Sequence, residues 1–261
     1  MKNAIAIAKK ELNIYFATPI AYVMFTLFVL IWSYFFWALV GRYEQISLMY
    51  MRFNSPEMTN RLNFQDAIFG PLLGNLGVIL IFLMPLLTMR LIAEEKSSKT
   101  IELLYTSPLA PRDVVFGKFL GALCVVTCAL VLTLIYPGII QYVTKDTAGV
   151  EWRTVLLGYL GIWLLGAAYL ALGMFFSALT DSQAIAALLG FVLALLTWII
   201  GWAAGQAEGT AREVISYLAA TGHLEGFGRG TVELKDLIYF LTLIILGLFA
   251  THRAVEAHRW S

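Results

Sequence analysis

Long intervals without a charged side chain constrain this chain more than any other feature. Glu11 to Arg42 encloses 30 uncharged residues, Asp66 to Arg90 23, Lys118 to Lys145 26, Arg153 to Asp181 27 and Asp181 to Glu208 26. A helix needs about 20 apolar residues to cross a bilayer core, so five intervals are long enough outright. A sixth, Asp236 to Arg253, encloses 16; Val232 and Leu234 extend it, and Arg253 can snorkel. The reading is an all-α integral membrane protein with six transmembrane helices, over roughly 19–41, 68–90, 115–143, 154–180, 183–205 and 234–252, within one domain spanning 1–261. The spans are read as free of Asp, Glu, Lys and Arg.

Composition agrees. Of 261 residues, 60% are apolar and 13% charged, and mean hydropathy is +0.78; a soluble domain carries about 25% charged residues. So little charge cannot cover a water-facing surface, which excludes a cytosolic enzyme, a disordered chain and a fibrous repeat. Net charge is +1, so no field steers the chain toward nucleic acid. Two cysteines make neither a disulfide framework nor a zinc site. The first apolar run is too long for a signal-peptide core and lacks a small-x-small cleavage site, so it reads as an uncleaved span.

An even span count puts both termini on one side. That side carries ten basic and seven acidic residues, the other eight basic and ten acidic. The positive-inside rule then places both termini in the cytoplasm, below a plasma or inner membrane. Residues 1–16 read as an amphipathic helix on the inner leaflet, against membrane lipids. Ile5, Ala8, Leu12, Tyr15 and Phe16 share one face, and Lys2, Lys9, Lys10 and Asn13 the opposite one. Pro19 turns the chain into the first span; the alternative is a plain extension of that span. On the outer side, Thr210-Ala-Arg-Glu213 reads as a capping box opening a short helix that Gly222 stops. Residues 222–230 read as a glycine-rich break, so that 208–230 forms a short outer helical hairpin.

The loop after the second span reads Met89-Arg-Leu-Ile-Ala-Glu-Glu-Lys-Ser-Ser-Lys-Thr-Ile-Glu-Leu-Leu-Tyr-Thr-Ser-Pro108. Ser97 or Ser98 can cap a short helix in which Ile101, Leu104 and Tyr105 fall at i, i+3 and i+4; Pro108 ends it. Three apolar side chains at helical spacing in so charged a loop suggest a docking element. The plain alternative is a solvated turn.

Here the chain resembles the type 2 ABC exporter permeases. Their loop carries two acids, a gap, Gly-Thr, a hydrophobe, Glu and a Leu pair. Glu94, Glu95, Lys96, Ser97, Thr100, Ile101, Glu102, Leu103 and Leu104 match it, with Tyr105 following, and Lys99 stands where Gly is usual. Phe82-Leu-Met-Pro-Leu-Leu-Thr-Met-Arg90, Gly117-Lys-Phe-Leu-Gly121 and Phe227-Gly-Arg-Gly230 are similar to the gliding-motility, Gld-type members. The resemblance implies a membrane-spanning permease subunit with no catalytic residue and no cofactor. It further implies two such chains, identical or paralogous, and two copies of a separate ABC ATP-binding subunit. Each ATP-binding subunit would hold a loop helix from residues 94–105 in a groove, and the pathway would run between the two permease halves.

Other constellations are weaker. No GxxxxGK[ST] occurs; Gly117-Lys118 lacks the upstream glycine, position 112 being Arg. Cys124 and Cys128 read as packing residues, and His223, His252 and His258 as loop and tail residues without metal-ligand spacing. Asp181 reads as a helix-end residue in a tight turn. Gly201-x-x-x-Gly205, in preference to Gly117-x-x-x-Gly121, reads as a helix-packing site. An intramembrane enzyme would need a nucleophile and base inside a span, and an ion-coupled transporter intramembrane ionisable groups; neither is visible. A channel or scaffold competes best, and has no reason to carry a docking helix. The topology is testable: a reporter fused at the C-terminus should lie in the cytoplasm, and one inserted within 208–230 on the opposite side. The same location for both would refute the six-span count.

Overall fold

The computed structural model describes residues 2–52, 65–100, 110–144 and 150–259. Ile101, Glu102, Leu103, Leu104 and Tyr105 of the expected docking helix lie outside the described residues. All regular structure within them is helical. The elements are α1 (Lys2–Ala17), α2 (Pro19–Arg52), a π-helical turn (Gln65–Phe69) leading into α3 (Gly70–Thr88), α4 (Ala93–Ser97), α5 (Pro111–Thr133), α6 (Ile135–Thr144), α7 (Trp152–Leu179), α8 (Gln183–Ala204), α9 (Gly209–Leu218), α10 (Ala220–Gly228) and α11 (Leu234–Arg259). Six stretches are long and apolar enough to cross a membrane: Ala21–Arg52, Gln65–Ser97, Pro111–Val143, Trp152–Leu179, Gln183–Ala204 and Leu234–Ala257. The chain is an all-α integral membrane protein.

α2 continues well past Arg42. Charge marks where lipid ends, while Arg, Glu and Gln remain good helix formers beyond it. The expectation of charge-free spans fails, most clearly at two buried residues. Lys118 is buried within α5 and Asp236 within α11; both had read as span boundaries.

α7 is the central post. Its apolar window is 72% buried, against 11% for the first span and 17% for the fifth. Lipid is as apolar as leucine, so helices associate here through close packing of small residues rather than by exclusion from water. α7 is rich in such residues, from Gly158 and Gly161 through Ala167, Ala168 and Ala171 to Gly173 and Ser177. Phe227 packs on Gly161 and on Phe240, while Gly247 packs on the backbone of Ala171. α11 therefore runs beside α7 in the same direction.

α1 is not a plain extension of the first span. The chain breaks at Thr18, whose hydroxyl donates to the Ile14 carbonyl at 2.7 Å, and restarts at Pro19. α1 folds along α5 with Ala4 and Ala8 over Gly117 and Gly121. A Cβ on Gly117 would lie 2.7 Å from Ile7 Cβ and 2.8 Å from the Ala4 carbonyl; one on Gly121 would lie 2.8 Å from Glu11 Cβ. The packed face keeps Ala8, Leu12 and Tyr15 of the expected one, and Lys9, Lys10 and Asn13 are exposed as expected, but it takes in Ala4 and Glu11 in place of Ile5 and Phe16. Ala4 and Glu11 are buried and Ile5 is 63% exposed, while Phe16 stacks on Phe25 at 5.9 Å. Tight packing takes the small residues and leaves Ile5 exposed, while Leu12 and Tyr15 of the expected face still pack on the core. Of the other glycine pair, Gly201 lies against Thr221 and Ala219, whereas a Cβ on Gly205 would meet only the Trp202 carbonyl.

The segment between the fifth and sixth spans also differs from expectation. α9 is preceded by Glu208 rather than capped by Thr210, and it ends at Leu218 rather than Gly222. The glycine run is itself a helix, α10. Buried His223, Leu224 and Phe227 hold it against the bundle, so packing outweighs the poor helix propensity of glycine. The turn after it uses Gly230 at φ +75°.

The α1 seat predicts an asymmetry between two glycines. Gly117→Leu should destabilise by about 1–3 kcal/mol through overpacking and expose α1 to protease. Gly41→Leu, inside α2 where nothing lies within 4 Å, should not destabilise, and gains up to about 1 kcal/mol of helix propensity. Thermal melts and limited proteolysis of both variants in detergent check this.

Candidate functional site

At one end of the bundle, α1, the loop after α3, the start of α5 and the end of α7 come together around an enclosed ion cluster. Pro111 at the first helical position and Asp113 in the first turn start α5. Two turns on, Lys118 is almost wholly buried, with its side chain 3% exposed. Its ammonium lies 2.8 Å from Glu11 of α1 and 2.8 Å from Glu95 of α4. Glu11 reaches it because Gly117 and Gly121 let α1 approach to backbone contact. Three helices distant in sequence thus share one cation.

The end of α3 is capped by tertiary side chains. The last carbonyls of a helix lack intrahelical donors. The Tyr15 hydroxyl donates to the Leu87 carbonyl at 2.7 Å, and the Ser177 hydroxyl to the Met89 carbonyl at 3.2 Å. Burial pushes the Tyr15 phenol well above its ordinary range, so it stays a donor. Ser177 Oγ also accepts from the N–H groups of Ile92 (3.1 Å) and Ala93 (3.0 Å), the start of α4. Lys96 donates to the Ala178 carbonyl at 2.6 Å and lies 3.8 Å from Asp181. Asp181 is therefore a partner of the loop as well as a helix-end residue.

α4 closes in a Schellman motif. The Thr100 N–H donates to the Glu95 carbonyl at 3.0 Å and the Lys99 N–H to the Lys96 carbonyl at 3.1 Å. Lys99 sits at φ +57°, the left-handed position. A non-glycine residue there costs roughly 1–2 kcal/mol, which explains on physical grounds why Gly is usual at this site in the resembling permeases. Ser97 and Ser98 had been expected to start a following helix. The residues of that helix lie outside the described ones; in α4 both hydroxyls donate back to the Glu94 carbonyl, at 3.1 and 2.7 Å, beside the Ser98 N–H that it also accepts at 3.0 Å. Glu94 is exposed; Glu95 and Lys96 turn inward.

Of the loop residues singled out from sequence, the structure thus brings Glu95 and Lys96 into the bundle and leaves Ser97 and Thr100 at its exposed edge. Glu11, Lys118, Tyr15 and Ser177 were missed. The signal for Glu11 was available: it follows Ala4 and Ala8 on the small-residue stripe of α1. Its partner was not, because nothing local ties Glu11 to Lys118.

This geometry, a charged loop clamped to α5 and α7 and through Lys118 to α1 at one end of a bundle with six candidate spans, accompanies a family match over nearly the whole chain. Residues 5–244 match the model described as ABC-2 family transporter protein. The chain belongs to the ABC-2 family of transporter proteins. It is a permease subunit of the ABC transporter kind, in a family whose members generally work with an ABC ATP-binding subunit. No curated protein matches it.

The ion cluster of this ABC-2 family protein makes a quantitative prediction. Removing one partner of a buried ion pair costs about 3–5 kcal/mol, because the remaining charge is stranded. Lys118→Met should therefore lower the melting temperature sharply. The combined Lys118→Met, Glu11→Gln and Glu95→Gln variant should recover most of that loss. A triple variant as unstable as Lys118→Met would show that packing rather than charge holds the cluster.

Proposed function

We propose that this chain is the single-domain permease of an ATP-driven exporter in a plasma or inner membrane, with both termini cytoplasmic. Two permease chains, identical or paralogous, pair with two copies of a separate ATP-binding subunit. The segment Glu94 to Tyr105 receives the stroke of that subunit, with Ile101, Leu104 and Tyr105 as the face seated in its groove. The resemblance to gliding-motility, Gld-type permeases belongs with this reading and rests on Phe82–Arg90, Gly117–Gly121 and Phe227–Gly230.

The observation that carries the reading is the way the loop is anchored. A solvated turn would move without consequence. This loop is bound through Glu95 to Lys118 and thereby to Glu11, and through Lys96 and the Ser177 bonds to the end of α7. A push on the loop must displace α1, α5 and the central α7 together or break buried charge-assisted bonds, which are the strong ones. That stiffness suits a part that passes force from a soluble motor into the membrane.

Burying one such apolar side chain stabilises by roughly 1.5–3 kcal/mol, and a charge in its place adds a desolvation cost. Ile101→Asp should therefore insert into membranes at normal abundance, yet co-purify poorly with the ATP-binding subunit and lose transport. Glu44→Lys, an exposed change on α2, should leave the complex intact. Full partner binding and transport by Ile101→Asp would mean that the loop is a solvated turn.

A further inference from the structure

Arg90 stands just past the end of α3, at the same end of the bundle as the ion cluster. It is half-buried, and its Nε is shut off from water with no acceptor for its hydrogen. Among the described residues its guanidinium forms no ion pair either. A charge drawn out of water without a partner is costly, and an arginine cannot lower that cost by losing its proton.

The groups around it do not supply the acceptor. Glu11 and Glu95 are both held by Lys118, each at 2.8 Å. Glu94, four residues further on, is exposed and does not close on Arg90. The Tyr15 hydroxyl is spent as a donor on the Leu87 carbonyl. Burial and Glu11 hold that phenol up, and the positive charge of Arg90 opposes them, so the guanidinium stands within electrostatic reach of the cap on α3. The missing anion has to come from outside the chain.

The surface next to Arg90 is made for hydrocarbon. Counting back in four-residue steps along α3 reaches Leu86 and Phe82, which are 47% and 57% exposed. Both lie in a candidate span, where such side chains meet acyl chains. Beside them, Leu83 and Leu87 line a narrow, wholly apolar crevice with Phe25 and Phe28 of α2 and Val125 and Ala129 of α5. The ligand that fits is anionic at one end and a long hydrocarbon at the other. A phosphodiester matches the fork of a guanidinium, and a phospholipid carries one at the level where a span leaves the hydrocarbon.

We propose that Arg90 holds the phosphate of a phospholipid from the leaflet at the ion-cluster end, with an acyl chain lying along Leu86 and Phe82 beside the crevice between α2 and α3. Nothing in the site depends on how the protein is driven. The test uses the full-length chain, delipidated in detergent. It is titrated separately with palmitoyl-oleoyl phosphatidylethanolamine, palmitoyl-oleoyl phosphatidylglycerol, palmitoyl-oleoyl glycerol and sodium phosphate, and read by native mass spectrometry and thermal melts. Both phospholipids should add one tight equivalent and raise the melting temperature; the phosphate-free glyceride and sodium phosphate should do neither. Arg90→Gln should bind that equivalent about tenfold more weakly or worse, since it loses a charge-assisted bond. It strands no protein group, so its melting temperature without lipid should equal that of wild type, and only the lipid-induced rise should disappear. Lys9→Gln with Lys10→Gln, which removes two exposed cations of α1, should keep the tight equivalent. Undiminished phospholipid binding by Arg90→Gln, or its loss in the Lys9, Lys10 variant instead, overturns the site. So does the same rise with sodium phosphate or the glyceride alone, or a lowered lipid-free melting temperature in Arg90→Gln, which would give Arg90 a partner within the protein.

Discussion

An ammonium group that two carboxylates share in a nearly dry site cannot be given up cheaply by any of its holders. Lys118 has this position between Glu11 and Glu95, and the architecture of that end of the molecule follows from it. α1 must lie on α5, because only backbone contact at Gly117 and Gly121 brings Glu11 within reach. The loop after the second span must turn inward, because Glu95 is the second acceptor. Exposed pairs such as Arg229–Glu225 are screened by water and contribute little; the buried cluster has no such escape.

The same logic recurs in neutral form around Ser177 and Tyr15. A membrane helix that ends near the interface still owns carbonyls without donors. Here they are satisfied by hydroxyls from other helices rather than by local caps. The outcome is a polar layer that joins α1, α3, α4 and α7 into one body, with α7 as its axis. At the opposite end the hairpin is held on α11 by the His223–Asp236 contact, by the Tyr239 hydroxyl on the Leu218 carbonyl and by Phe227 against Phe240.

Much of the plan was legible in the chain. Uncharged intervals of bilayer length identified six spans, because lipid tolerates so little charge that composition alone marks the crossings. The amphipathic character of residues 1–16, a short helical pair at 208–230 and the unusual loop after Met89 were legible for the same reason: their patterns are local. The face of α1 was legible only in part: Ala4 and Glu11 stand in it where Ile5 and Phe16 were expected, since side-chain hydrophobicity says nothing about which small residues permit close approach. Thr210 and Gly222 misled as caps, because burial of His223 and Phe227 rewards a helix through the glycines more than local rules oppose it.

Sequence by itself determined the solvent, the number of crossings and the family, all of which rest on hydropathy and on short contiguous motifs. Tertiary structure alone decided the partners of the charges. Glu11 finds Lys118 across 107 residues, Glu95 joins them, and His223 finds Asp236. Each of these residues had read as a boundary, a loop or a tail, because a charge near a span end is normally solvated. Desolvation is a property of the packed bundle, and it converts an ordinary surface charge into one that must find a partner.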